Sequence, residues 1–497
     1  MATAYEDLLR IYSDFNTLES AISLMNWDRQ VLMPSGGASA RTAHTEILNR
    51  KAHALITSDE LANALVVVEH EAEPGSEIAA LASALRREVD IERKLPSELV
   101  DRKARVSSDA YEVWKVAKAT NDFPKLAPYY DELFDIARET AELLGYKDHI
   151  YDALINLYEP GSSCADAQAM FESIKAPIVD LVRRIKEEGS PVDDSPLSGQ
   201  WDKELLRKLA EQTVQTIGFD FGRGRLNIAP NAFCMNLSCG DVRMTTRASD
   251  HIKGIVSSSL HEMGHALYEQ NSPKKWDRTP LAGGVSLAVH ESQSRLWENI
   301  IGRSRGFWTR FLPDFQSALP TLRDLSVDDY YRAVNKVEPE FVRVGADELT
   351  YNLHILIRFE LEVEILTKSI RIVDLPDAWN AKYSAYMGIS PPTNTLGCLQ
   401  DVHWSRGAVG YFPTYAMGNL IGAQIWTCLQ GELGDTNALM ANGDFKPILE
   451  WLVDKVYSKA KLHKPKELVK QITGRSMEAS DWLSYATRKY AEIYSLG

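Results

Sequence analysis

Apolar residues recur three or four positions apart through most of this 497-residue chain, a spacing typical of amphipathic α-helices. The pattern covers four long segments separated by breaks in the periodicity, several of them rich in proline and glycine: residues 5–66, 78–147, 164–188 and 419–494. Between residues 226 and 246 helix-forming residues thin out, and Val242-Arg243-Met244-Thr245 suggests a strand or hairpin. The sequence therefore predicts a mainly α protein with a small β element near residues 226–246.

The composition of the chain argues against some kinds of binding partner and indicates a cellular compartment. The net charge of -14 argues against nucleic acid, because phosphate binding requires clustered cations. No apolar run approaches the length of about 20 residues that spans a bilayer, so no membrane segment is expected. The start of the chain has no secretory signal pattern, and the five cysteines are scattered without a C-x-x-C pair. A cytoplasmic protein without disulfides is therefore expected.

The strongest chemical signal is His261-Glu262-Met263-Gly264-His265, an H-E-x-x-H pattern. Its surroundings predict a helix, capped by Asp250, with one apolar stripe formed by Ile252, Val256, Leu260, Met263 and Leu267. The two histidines lie nearly opposite that stripe, on a face shared with the small residues Gly254 and Ser258. Such a face indicates a cavity, where two histidines one turn apart can bind one metal ion beside Glu262.

A catalytic metal site needs a third protein ligand and an open position for water. Glu291 lies 26 residues after His265 on the next predicted helix, close enough to complete a His₂Glu set. The alternative is that Glu291 is a solvated helix charge. A bound dication lowers the pKa of a water molecule, so that Glu262 can accept its proton and pass it to a leaving amine.

The developing oxyanion needs hydrogen-bond donors, and the irregular segment 397–415 offers several of them. The candidates here are His403 and Tyr411 as catalytic groups and Asp401 and Tyr415 as substrate-binding groups. For His403 the alternative is a buried histidine that is hydrogen-bonded for structural reasons.

The H-E-x-x-H pattern followed by His290-Glu291-Ser292-Gln293 resembles the carboxypeptidase Taq family of metallocarboxypeptidases. Three further motifs of that family are matched in order: D-x-R-x-T at residues 241–245, [IV]-R-x-x-A-D at 342–347 and G-x-x-Q-D-x-H-W at 397–404. The likeness covers almost the whole chain.

The resemblance implies a single helical unit over residues 1–497 with a deep central groove, usually a homodimer. It implies one divalent metal ion per chain, zinc by default or cobalt, and stepwise removal of C-terminal amino acids from peptides. The ligands would be His261, His265 and Glu291, with Glu262 as the base. Two arginines, Arg343 and Arg243, become candidates for binding the substrate's terminal carboxylate, because a guanidinium fork fits that group. Their alternative role is a structural ion pair, with Asp347 or Asp241 respectively.

One motif departs from the family: Asn231-Ala232-Phe233 stands where the family has H-P-F, a motif associated with the substrate site. Asn231, the expected substrate-binding residue here, cannot carry a charge, so a charged hydrogen bond would become a neutral one, at a loss of roughly 1–2 kcal/mol. A specialised metal-dependent amidohydrolase, acting on a small amino-acid conjugate or metabolite, is therefore the main alternative function. A non-catalytic metal-binding relative is a further alternative.

Overall fold

The structure is a computed structural model that describes residues 3–497. The helices before the sheet are α1 (Ala4–Val31), α2 (Ala38–Ile56), α3 (Asp59–Glu71), α4 (Glu77–Lys94), α5 (Ser97–Thr120), α6 (Phe123–Leu144), α7 (Ile150–Tyr158), α8 (Cys164–Glu188) and α9 (Lys203–Ile217). Those after it are α10 (Ile252–Gln270), α11 (Leu287–Arg295), α12 (Arg305–Ala318), α13 (Val327–Val334), α14 (Tyr351–Leu366), α15 (Leu375–Met387), α16 (Pro413–Leu433), α17 (Thr436–Ala441), α18 (Lys446–Lys455), α19 (Pro465–Thr473) and α20 (Ser480–Tyr494). The predicted mainly α fold is confirmed.

The β element consists of β1 (Gly224–Ile228), β2 (Phe233–Ser238) and β3 (Asp241–Thr246). Strand β3 lies in the middle, antiparallel to β2 and parallel to β1. The predicted hairpin is therefore β2–β3, and β1 is an addition that periodicity did not reveal. Asn231 and Ala232 lie in the connection from β1 to β2, where the Thr245 hydroxyl donates a hydrogen bond to the Asn231 carbonyl at 3.0 Å.

Helix α10 buries the predicted apolar stripe against the main core. The predicted cap was wrong: the N-cap residue is His251, and it makes no side-chain cap bond. The carbonyl of Asp250 instead accepts a hydrogen bond from the backbone N–H of Trp201 at 3.0 Å, so a tertiary contact holds this end of the helix.

The helices bury two apolar clusters. The smaller cluster joins α1, α3 and α4 to Trp276 and Leu281, in the loop between α10 and α11. The main core takes in most of the remaining helices, and α10, α11 and α16 lie within it. Among the described residues, none of the helices is both long and apolar enough to cross a membrane.

A buried ion pair fixes α20 to the segment that leads into α14. The Lys489 ammonium donates to the Glu348 carboxylate at 2.6 Å, and both side chains are almost fully buried.

Lys489→Met should destabilise the protein by about 3–5 kcal/mol, because it leaves Glu348 as an uncompensated buried charge. The matched control is Lys446→Met, since Lys446 pairs with Glu450 at 3.6 Å with 79% of its side chain exposed. The control should lose at most about 1 kcal/mol. Urea unfolding measures both, and equal losses would contradict the prediction.

Candidate metal centre and active site

The metal centre is built where α11 runs closely between α10 and α16. A Cβ atom on Gly264 of α10 would lie 2.6 Å from the Cα atom of Ser294, and one on Gly418 of α16 would lie 2.7 Å from the Cβ atom of Glu291. Real Cβ atoms do not approach other atoms this closely, so each position requires glycine at this helix spacing. The glycine inside the H-E-M-G-H sequence therefore has a packing role: it lets Glu291 approach the two histidines.

Three donor atoms meet at this crossing. One ring nitrogen from His261, one from His265 and a carboxylate oxygen from Glu291 all lie within 4.8 Å of one another. Glu291 Oε2 lies 3.6 Å from His261 Nε2 and 3.5 Å from His265 Nε2, which is longer than a good hydrogen bond. Donors that share a tetrahedral ion at bond lengths of about 2.0–2.2 Å are separated by roughly 3.3–3.6 Å. The donor set and its spacing therefore fit a divalent cation.

Glu291 is held ionised in a buried position. Burial opposes its ionisation, but the Arg295 guanidinium, which donates to Glu291 Oε1 at 2.7 Å, and the neighbouring imidazoles keep its pKa well below the usual range. Arg295 also donates to Glu298 at 3.2 Å. Glu298 lies in the π-helical turn Leu296–Ile301 that ends α11, and it contacts His261 Nδ1 at 2.9 Å. Each ring nitrogen of His261 therefore has a defined environment: Nε2 faces the metal position and Nδ1 faces Glu298.

The protein environment shifts the pKa values of His261 and His265 in opposite directions. Burial would lower the pKa of His261, but Glu291 and Glu298 raise it to about 9. Burial lowers the pKa of His265 to about 4, and the neighbouring His290 and His261 add to this effect, while the contact with Glu291 opposes it. The Nδ1 atom of His265 lies 2.8 Å from His290 Nδ1. Both ligand side chains keep about a fifth of their surface exposed, 19% for His261 and 18% for His265, so solvent reaches the site.

The predicted base, Glu262, is buried beside the ligands. Burial raises its pKa to about 7, and the charges of Glu291 and Glu298 add to this effect. Within residues 3–497 no side chain donates a hydrogen bond to its carboxylate. A carboxyl group whose pKa is near 7 can exchange a proton at neutral pH with a molecule bound in the site.

Arg343 and Asp401 lie in a buried cluster of charges beyond the metal centre. The Asp401 carboxylate accepts hydrogen bonds from Arg343, at 2.8 and 3.0 Å, and from Arg358 at 2.7 Å. The structural partner expected for Arg343 was therefore wrong: Asp347 instead accepts hydrogen bonds from the backbone of Leu349 and Thr350. The carboxylate of Asp401 is committed to the two arginines.

This cluster is connected to the metal centre through Tyr351. Arg343 Nη1 donates to the Tyr351 hydroxyl at 2.9 Å, and the guanidinium of Arg295 lies 4.1 Å from the centre of the Tyr351 ring. Since Arg295 also binds Glu291, a continuous series of contacts links Asp401 to a metal ligand.

His403, Tyr411 and Tyr415 form an aromatic group next to this series. His403 Nε2 lies 3.2 Å from the Tyr415 hydroxyl, and the ring of Tyr411 lies 5.3 Å from that of Tyr415. Burial, with the nearby Arg343 charge, lowers the pKa of His403 to about 3, so the imidazole is neutral. Burial raises the pKa of Tyr411 to about 12, with a contribution from the charge of Glu291, so its phenol keeps its proton and can donate it in a hydrogen bond.

The remaining predicted substrate residues lie on or next to the sheet. Arg243 on β3 forms a two-bond ion pair with Asp241, 2.9 Å for each bond, and packs over the Trp27 ring at 4.6 Å. This is the structural alternative stated for Arg243. Asn231 is exposed. Strand β2, which begins at Phe233, packs against α10, the helix that carries Glu262.

Sequence reasoning missed four residues that surround the ligands: Glu269, His290, Arg295 and Glu298. His290 belongs to the family motif His290-Glu291-Ser292-Gln293, but no role was assigned to it from the sequence. The only available signal for Glu269, Arg295 and Glu298 was helical spacing. Glu269 is four residues after His265, and Arg295 and Glu298 are four and seven residues after Glu291.

An H-E-x-x-H helix with a third glutamate ligand on a following helix defines a metal-dependent hydrolase of the kind that cleaves peptide bonds. Comparison with known proteins gives the family. Residues 7–490 match the model of the carboxypeptidase Taq (M32) metallopeptidases. The chain is 36% identical to carboxypeptidase 1 of Bacillus subtilis, over 99% of this chain and 98% of that one. It is also 36% identical to thermostable carboxypeptidase 1 of Thermus thermophilus, over 99% of each chain.

Comparison with solved structures gives the same family. The structure matches Pyrococcus furiosus carboxypeptidase with a TM-score of 0.95 at 35% identity, over 99% of both chains. It matches the M32 carboxypeptidase of Deinococcus radiodurans with a TM-score of 0.96 at 33% identity, over 99% of this chain and 100% of that one. The chain belongs to the carboxypeptidase Taq (M32) family, and it is a metal-dependent carboxypeptidase.

The helix crossing itself can be tested at Gly264. Gly264→Ala should push α11 away from α10, destabilise the protein by about 1–3 kcal/mol and displace Glu291 from the histidines. A displacement of about 1 Å can lower kcat/KM by about 100-fold. The control is Gly431→Ala on α16, where nothing lies within 4 Å of an added Cβ. That change should stabilise the helix by about 0.5–1 kcal/mol and leave activity unchanged. Thermal unfolding and peptide hydrolysis measure both variants; an active, stable Gly264→Ala enzyme would refute the packing role.

Proposed function

We propose that this enzyme is a zinc carboxypeptidase that removes C-terminal amino acids from peptides, with His261, His265 and Glu291 as the metal ligands and Glu262 as the general base. The observation that carries the proposal is the convergence of the three donors beside the buried carboxylate of Glu262, to which no side chain among residues 3–497 donates a hydrogen bond. Zinc suits two imidazoles and one carboxylate, and cobalt accepts the same set. One ion per chain is expected.

Glu262 provides the proton transfers. A divalent cation at the three donors would supply Lewis acidity, which lowers the pKa of water and polarises a carbonyl group. Glu262 accepts a proton from the attacking water and returns it to the nitrogen of the leaving amino acid, a contribution of about 10²–10⁴-fold to the rate. Its pKa near 7 is suited to both transfers.

The aromatic group supplies hydrogen-bond donors for the substrate. The phenol of Tyr411 keeps its proton, and the charge of Glu291 contributes to its raised pKa. We therefore propose that Tyr411 donates a hydrogen bond to the developing oxyanion, together with the neutral imidazole of His403. Tyr415 orients His403 and borders the substrate position.

Arg343 is our candidate for the terminal carboxylate of the substrate. Its Nε and Nη2 groups bind Asp401 and its Nη1 group binds Tyr351, which leaves one N–H on each Nη atom for a substrate. Asp401 therefore serves the substrate indirectly, by fixing the plane of Arg343. Arg243, whose fork is engaged by Asp241, is the weaker candidate.

We further propose that residues 1–497 act as one catalytic unit around a central groove and that the enzyme is a cytoplasmic homodimer. The end-to-end family match supports the single unit. The five free thiols are compatible with a reducing compartment. Size-exclusion chromatography with light scattering would measure the oligomeric state.

The alternative function is hydrolysis of a small amino-acid conjugate, and the observation that favours it is Asn231-Ala232 in place of H-P-F. Asn231 is exposed in the β1–β2 connection, and the following strand, β2, packs against the helix α10 that carries Glu262. A neutral amide at this position would weaken a contact with a charged group of a peptide substrate.

The role of Glu262 is tested by Glu262→Gln. Because the amide cannot accept the proton of water, peptide hydrolysis should fall by about 10²–10⁴-fold or more. The metal content should stay at one ion per chain, since Glu262 is not a ligand. Release of the C-terminal residue from a blocked dipeptide, with metal analysis of the same sample, measures both quantities. Activity near that of the wild type would refute the mechanism.

The substrate class is tested by the double change Asn231→His with Ala232→Pro. The backbone N–H of Ala232 forms no bond in the described structure, so proline costs no hydrogen bond there. A general carboxypeptidase should gain on the order of ten- to thirtyfold in kcat/KM on peptides. A panel of peptides and acyl-amino acids measures the effect. If peptides are poor substrates for both forms and one conjugate is cleaved rapidly by the wild type, the amidohydrolase alternative is correct.

A further inference from the structure

His290 lies between a metal ligand and a buried carboxylate. Its Nδ1 atom is 2.8 Å from His265 Nδ1, and its Nε2 atom is 2.6 Å from Glu269 Oε1. Glu269 and His265 are four residues apart on α10, so they share one helix face, and His290 reaches across from α11 to join them. The three side chains form one hydrogen-bonded series, which we call the relay. The relay begins at the metal position and ends at Glu269.

Glu269 is fixed by groups outside α10. The backbone N–H of Gly284 donates to its Oε1 atom at 3.1 Å, and the side-chain amide of Asn236 on β2 donates to its Oε2 atom. A Cβ atom on Gly284 would overlap the ring of His290, so the loop before α11 is shaped around that ring. The ring of Tyr268 covers His290, with the ring centres 4.9 Å apart. The relay is therefore anchored to both β2 and the loop.

The donors and acceptors of the relay allow only one arrangement of protons in which His265 can bind a metal ion. A ligating Nε2 must be unprotonated, so the His265 proton lies on Nδ1 and is donated to His290 Nδ1. His290 must then carry its own proton on Nε2, where the Glu269 carboxylate accepts it. If the acceptor at Glu269 were lost, His290 could place its proton on Nδ1, and His265 would be driven to the tautomer that cannot bind metal.

We propose that Glu269 is a positioning residue that acts through His290 to hold the ring and the tautomer of His265 for metal binding. The proposal deepens the proposed function and rests on its ligand set. A carboxylate commonly orients a ligating histidine directly, as Glu298 does here for His261. At His265 a second histidine, His290, lies between the ligand and the orienting carboxylate. That carboxylate, Glu269, therefore comes from the C-terminal end of α10, where it also binds Asn236 of strand β2.

The first test is the zinc affinity of Glu269→Gln, measured by competition with a chromogenic chelator. An uncharged amide is a weaker acceptor for the His290 Nε2 proton than a carboxylate, so it favours the required tautomer of His265 less strongly, and binding should weaken by about 10–100-fold. The matched control is Glu360→Gln. Glu360 is a partly buried carboxylate that accepts hydrogen bonds from Lys382 and Tyr386, at 2.8 Å each, and contacts none of the ligands. The control should bind zinc as the wild type does.

A second test separates the relay from general packing. His290→Phe keeps a ring in contact with Tyr268 but removes both hydrogen bonds. It should weaken zinc binding as much as Glu269→Gln, and the double variant should be no weaker than His290→Phe alone, because Glu269 acts only through His290. Thermal unfolding of the metal-free proteins verifies that each variant is folded.

The outcomes distinguish the relay from the ligand set. Zinc affinity within threefold of the wild type in Glu269→Gln, or additive losses in the double variant, would overturn the relay. The ligand set is tested separately by His265→Ala. If His265→Ala loses zinc while Glu269→Gln keeps it, the relay alone is wrong; if His265→Ala keeps zinc, the proposed ligands are wrong.

Discussion

The active site depends on how closely three helices approach one another. Glu291 can meet two histidines of α10 only because α11 passes between glycines on α10 and α16 with no side chain to separate them. The two histidines are held one turn apart by α10 itself, so their spacing follows from helix geometry. The position of the third ligand follows from packing. The metal site is thus a product of the core, which fixes it more rigidly than loops would.

Several carboxylates lie close together in the buried region where α10, α11 and α16 pack against one another. Glu262, Glu291 and Glu298 lie together there, and Arg295 compensates part of their charge. Burying several carboxylates is costly unless cations accompany them. A divalent cation at the three donors would complete the neutralisation. Within the protein itself, Arg295 and the neighbouring imidazoles keep Glu291 ionised, and Glu291 and Glu298 raise the pKa of His261. Farther out, Asp401 is neutralised in the same way by two arginines.

Most of the chemistry could be predicted from the sequence because it depends on short, local patterns. The spacing of His261 and His265, the apolar stripe of α10 and the β2–β3 hairpin all follow from helix and strand periods, and they are confirmed. The partners of the charged residues could not be predicted in this way. Arg343 binds Asp401 rather than Asp347, and His290 joins His265 to Glu269, because these pairings depend on how distant segments pack. The predicted cap at Asp250 was wrong for a different reason: α10 begins at Ile252, so His251 occupies the N-cap position.

The account's central claim is that one metal ion is bound by the two histidines of α10 and the glutamate of α11. A crystal structure of the zinc-loaded enzyme, with anomalous diffraction recorded at the zinc absorption edge, tests it most directly. The account predicts one strong anomalous peak per chain, about 2.0–2.2 Å from His261 Nε2, His265 Nε2 and Glu291 Oε2. A peak that is bound by other residues, or an enzyme that is active with no peak at this position, would contradict it.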